Sequence, residues 1–125
     1  MSEKTVADKM LLKNAKSIAV LNGAAHPGMV SQLPAQLIDD NGSGPADVVV
    51  MFALNQQELD QYLPLASERL ADKGSLWIAY LKQTASKATD INRDTINATA
   101  KEQGITAVAI ISVDGDWSAL RLKRM

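Results

Sequence analysis

The residues best suited to chemistry gather in one short stretch: Lys82, Ser86, Lys87 and Arg93 supply three cations and a hydroxyl. If this stretch opens a helix, it suits a small anion. First-turn N–H groups lack internal acceptors and carry partial positive charge. Asp90 and Asp94 oppose this by offering ion-pair partners to Lys87 and Arg93, and Asp90 or Asn92 suits helix capping. No glycine lets the backbone wrap a phosphate closely, so the expected site is weak and salt-sensitive.

A second group lies earlier. Asn22, Gly23 and the only histidine, His26, follow an apolar run, and Asp39 and Asp40 follow another. In open α/β sheets an acid after the second strand can hold a ribose, and a loop imidazole can act as a general base. The plainer alternatives are a turn at Asp39-Asp40-Asn41-Gly42 and a solvated loop histidine. Trp77, Tyr80 and Trp117 could stack on a planar ligand, but such residues in strands usually belong to the core, with the polar atom reaching one partner. No catalytic set emerges.

Composition removes other chemistries. Without cysteine there is no disulfide or thiolate catalysis, and a single imidazole argues against a metal centre. A formal net charge of -1 with scattered signs argues against nucleic acid or anionic lipid as a partner. No apolar run approaches membrane-spanning length, and the start Met1-Ser2-Glu3-Lys4 lacks a signal peptide's pattern, so a cytoplasmic location is expected. A chain of 125 residues, 46% of them hydrophobic, is one domain with enough apolar surface for a core.

The elements that must position these residues are readable as periods. Helical spacing marks a short helix over 5–13. Compact apolar runs at 17–21 and 47–54 read as strands buried on both faces, and 37–38 as a shorter strand. Pro27 suits the first turn of a helix reaching about Leu33. A helix over 56–73 presents Leu59, Tyr62, Leu63, Ala66 and Leu70 on one face, with Pro64 expected to kink or split it and Lys73-Gly74 to stop it. A strand over 76–81 is followed by a polar loop over 82–89 and a helix ending at Gln103-Gly104. Strands over 105–113 and 117–123 close the chain as a hairpin, the second with one core face and one wetter face. Val49, Met51, Trp77, Ile78, Ile110 and Leu120 are expected in the core. Strands alternating with helices predict an α/β, Rossmann-like, mostly parallel sheet flanked by helices, with a C-terminal antiparallel hairpin.

The segment PADVVVMFALNQQELDQYLPLASERLADKGSLWIAY, from Pro45 to Tyr80, resembles the middle of a class I methyltransferase, and the closing hairpin resembles that fold's ending. Nearly the whole chain resembles a family of small bacterial proteins catalogued only as a domain of unknown function. That likeness is carried by Lys16 to Gly23, Pro45 to Phe52, Leu76 to Lys82, TDINRD from Thr89 to Asp94, and DWSALR from Asp116 to Arg121. Both resemblances imply a fold, and neither implies an activity. The sequence departs from methyltransferases at Asn22-Gly23-Ala24-Ala25-His26-Pro27-Gly28, which lacks their Gly-x-Gly core, and a strand and helix are missing. No cofactor is therefore expected, and S-adenosylmethionine is not expected to bind.

The resulting expectation is a non-catalytic or vestigial Rossmann-like domain that binds a partner protein or a small anion. Its site residues would come from Lys82, Ser86, Lys87 and Arg93. The alternative is a small enzyme or binder that holds a nucleotide-like cofactor at Asn22, Gly23 and Asp39. The discriminating feature is whether the loop from Asn22 to Gly28 leaves an open crevice.

Overall fold

A computed structural model describes residues 17–31, 46–82, 91–113 and 116–124, with the side chains of Ala24 and Asp72 excepted. The expected helix over 5–13, the strand at 37–38, and Asp39, Asp40, Ser86 and Lys87 lie outside the described residues.

Five strands form one sheet in the order β1-β2-β3-β5-β4. They are β1 (Ile18–Leu21), β2 (Ala46–Phe52), β3 (Leu70–Leu81), β4 (Ile105–Ser112) and β5 (Trp117–Arg124). A 3-10 turn (Gly23–Ala25) and α1 (Pro27–Val30) follow β1, α2 (Gln56–Arg69) joins β2 to β3, and α3 (Arg93–Glu102) precedes β4. β1, β2 and β3 run parallel, and β5 is antiparallel to both of its neighbours. This is the expected mixed α/β sheet with a reversed C-terminal hairpin.

The apolar run in β2 is continuous because both faces of that strand are covered. Val49 and Met51 join Leu59 and Leu63 of α2, Ile96 of α3, and Leu76, Ile78, Leu120 and Leu122. On the opposite face Val48, Val50 and Phe52 meet Ile18, Met29, Trp77, Trp117 and Ala119. The period-two alternation of the strand thus divides its side chains between two cores. β5 lies inside the sheet, so Ala119 is as buried as Leu120, and the wetter face expected for this strand begins only at Arg121. Trp77 is core, as expected, but its indole N–H has no hydrogen-bond partner among the described residues.

Three expectations need correction. First, of the kink or split expected at Pro64, the split does not occur: α2 runs through it as one helix. The buried face of Leu59, Leu63 and Ala66 spans both sides of the proline and offsets the lost hydrogen bond. Second, α2 stops at Arg69, and Gly74 lies in β3. The Arg124 guanidinium donates to the carbonyls of Ser67 and Leu70, which satisfies the helix end from the far strand. A β-carbon at Gly74 would sit 2.8 Å from the Asp47 carbonyl oxygen, so this glycine serves close strand approach. Third, Ile110 is 45% exposed. It lies on the edge strand, beyond the part of β4 occupied by the buried Ile105 and the half-buried Ala107.

The helix ends around the site follow their sequence signals. Asn92 caps α3: its side chain accepts from Thr95 N–H at 3.0 Å, and Thr95 Oγ1 accepts from Asn92 N–H at 2.8 Å. Gly104, at φ +75°, ends the helix by donating to the Lys101 carbonyl, and the next residue, Ile105, is fully buried.

Candidate functional site

A cavity of about 420 Å³ opens at the carboxyl end of β3, lined by Tyr80, Lys82, Asn92, Arg93, Asp94, Ile110 and Ser118. Register explains its floor. Tyr80 pairs with Ser118, and Ser118 pairs with Ser112, so one row of hydroxyls crosses β3, β5 and β4. The next row is Ile78, Leu120 and Ile110. Paired residues share a sheet face, and this face carries the core formed with α2 and α3. The N-terminal turn of α3 supplies the wall through Asn92, Arg93 and Asp94.

Two lining groups are unusual. Tyr80 is 5% exposed and Ser118 is 8% exposed, yet neither hydroxyl has a hydrogen bond among the described residues. Among the described residues the fully enclosed polar side-chain atoms without partners are Trp77 Nε1 and Arg124 Nε, so both hydroxyls retain accessible surface, and both residues line the cavity. Burial pushes the Tyr80 phenol above its ordinary pKa; the nearby Arg93 guanidinium works against this, and the Asp94 carboxylate adds to it. The phenol therefore remains a neutral donor at physiological pH.

The cations sit at the rim. Lys82 Nζ donates to Ser112 Oγ at 2.7 Å, while its main-chain N–H donates to the Asp116 carbonyl at 2.8 Å. This fixes Lys82 over the hydroxyl row. Arg93 and Asp94 approach at 3.8 Å with side chains 64% and 89% exposed, so solvent screens the pair and leaves the guanidinium available to turn. Within the first turn of α3 the capping side chains take the Asn92 and Thr95 N–H groups. Those of Arg93 and Asp94 have no acceptor inside the helix.

The structure thus brings Lys82 and Arg93 together and places Asn22 and Gly23 at the end of β1, two strands away. There the arrangement is different. Asn22 adopts φ 58°, and its Nδ2 donates to the Phe52 carbonyl and to Glu58 Oε1, each at 3.0 Å. Glu58 Oε1 also accepts from Leu54 N–H at 2.9 Å. A β-carbon at Gly23 would meet Val20 and Val30 side chains at 3.0 and 3.2 Å. Ala25 packs on the second core. The Asn22 amide and the Gly23 position are thus engaged by the chain's own side chains and main chain.

His26 differs from the solvated residue expected of a loop. It caps α1, with Nδ1 accepting from Met29 N–H at 3.3 Å, and its ring lies 5.0 Å from Trp117 and 6.4 Å from Phe52. Tyr80, Ser118, Asn92, Asp94 and Ile110 were not read from the sequence as site residues facing one cavity. The available signal was the β3–β5 register, which requires knowing that β5 inserts between β3 and β4.

Among the described residues no cluster of three or more histidine, cysteine or acidic side chains could hold a metal, and no helix is long and apolar enough to cross a membrane.

Solved structures similar to this chain include methyltransferases. Mitomycin 7-O-methyltransferase MmcR superposes with a TM-score of 0.66 at 9% identity, over 91% of this chain and 50% of its own. An O-methyltransferase family protein from Burkholderia thailandensis gives 0.63 at 13% identity, over 95% and 56%. The CcbJ methyltransferase from Streptomyces caelestis gives 0.59 at 11% identity, over 94% and 92%. This chain therefore spans about half the length of the first two. At these identities the likeness establishes a methyltransferase-like fold and nothing about activity. No curated protein matches the chain in sequence. The family model for proteins of unknown function DUF3052 matches residues 26–125, and the chain belongs to that family.

Proposed function

We propose that this domain binds a small anion in the cavity at the carboxyl end of β3 and performs no cofactor-dependent chemistry at the β1 loop. The observation that carries this reading is that Tyr80 and Ser118, residues otherwise buried, both line the cavity and their hydroxyls make no hydrogen bond among the described residues. Hydroxyls that bond nothing among the described residues and reach a cavity are open to a ligand, or to water in its absence. An anion accepts from both hydroxyls and from the free first-turn N–H groups. Lys82 and Arg93 outweigh Asp94 by one positive charge at the rim. The carboxyl edge is also where open α/β sheets place ligands. S-adenosylmethionine is left out of this reading because the β1 loop lacks a Gly-x-Gly core and the Asn22 amide there is bonded within the chain.

The test is thermal unfolding in phosphate against chloride of matched ionic strength. A ligand bound only by the native state raises apparent stability. The expected result is a phosphate-specific rise in Tm that disappears in the double variant Lys82→Ala, Arg93→Ala. An equal rise in that variant would assign the effect to general salt action and contradict the reading.

A further inference from the structure

We infer that the ligand of this cavity is an organic anion with an apolar portion, its charge held by Lys82, Arg93, Tyr80 and Ser118 and its apolar part laid on Ile110. This rests on the anion reading above and deepens it.

The first argument is size. A cavity of about 420 Å³ lies within the range of small-molecule sites, roughly 300–1,000 Å³. At about 30 Å³ per water it holds roughly a dozen solvent molecules, far more than one inorganic anion displaces.

The second argument is how Ile110 comes to be there. In β4, Ala107 opposes Leu122 but Ala109 opposes Arg121, so Val108 is an extra residue in the strand. This bulge inverts the alternation beyond it. Counting by twos from Ala107, which packs on the α2/α3 side, would place residues 109 and 111 on that face. The bulge instead aims Ile110 and Ser112 there, while Ile111 and Val113 pack on the opposite core. It therefore supplies the cavity with an aliphatic floor and supplies Lys82 with its hydroxyl acceptor. Of the large exposed hydrophobics Leu65, Val108 and Ile110, Ile110 alone lines this cavity. Charged groups on one wall and an uncovered isoleucine on the floor suit a ligand with both characters.

The experiment compares phenyl phosphate, inorganic phosphate and phenol by calorimetry and amide NMR, on the native chain and on Ile110→Ser. Ile110 is half exposed, so its replacement leaves the fold intact. The expected result is phenyl phosphate binding at least about tenfold more tightly than inorganic phosphate, with that advantage lost in Ile110→Ser while inorganic phosphate binding is unchanged. Equal affinity for the two phosphates would overturn the inference and leave the anion reading standing. Phenol binding as tightly as phenyl phosphate, or no binding by either phosphate, would overturn both.

Discussion

The carboxyl ends of β1 and β3 face the same edge of the sheet, yet they treat polar groups in opposite ways. At β1, Asn22 Nδ2 and Glu58 Oε1 bond one another and the main chain at Phe52 and Leu54. At β3, the Tyr80 and Ser118 side chains are mostly buried, yet their hydroxyls reach the cavity and bond nothing among the described residues. The two strand ends thus differ in whether their polar side chains are tied into internal hydrogen bonds. The difference teaches that polar residues at a strand end are not themselves a site. Residues that satisfy each other hold the fold, and residues left unsatisfied await something else.

This comparison can be broken most directly at the closed end. Asn22→Ala removes two hydrogen bonds and places alanine in a left-handed conformation, so urea denaturation should show a loss of about 1–3 kcal/mol. Asn22→Gly relieves the backbone strain and should recover about 1 kcal/mol of that loss. No loss in either variant would mean that the β1 loop is not held as described.

The open end should behave differently. Tyr80→Phe and Ser118→Ala remove hydroxyls that bond nothing among the described residues, so each should change stability by no more than about 0.5 kcal/mol. Both should weaken phosphate binding. A destabilisation matching that of Asn22→Ala would show that these hydroxyls serve the fold and would erase the contrast.

The smallest effect concerns pH. The folded-state pKa of Tyr80 lies above its unfolded value of 10.0, chiefly because burial disfavours the phenolate. The protonated form is thus favoured in the native state. Its stabilising contribution is complete below pH 10 and is lost as pH rises through the folded pKa. Stability measured above pH 10 should fall less steeply in Tyr80→Phe than in the native chain.

Much of the fold was legible because it rests on local pattern. The runs at β1, β2 and β3, Pro27 at the start of α1, and Gly104 at the end of α3 each act through short-range physics. What failed depends on distant partners. Gly74 was read as a helix stop because glycine suits that position, but its reason is the Asp47 carbonyl on a neighbouring strand. The end of α2 is set by Arg124, more than fifty residues away in sequence. The candidate site was half legible: Lys82 and Arg93 could be grouped by charge and by an expected helix start. Tyr80, Ser118 and Ile110 could not be grouped, because their meeting depends on strand order and on a bulge at Val108 marked by neither glycine nor proline.

The most direct measurement of the central claim is a phosphate titration followed by amide NMR shifts across the whole chain. The account predicts shifts at Tyr80, Lys82, Arg93, Asp94 and Ser118, diminished by added salt and absent in Lys82→Ala, Arg93→Ala. Shifts concentrated instead at Asn22 to Gly28 would contradict it and place the ligand at the end of the sheet described here as closed.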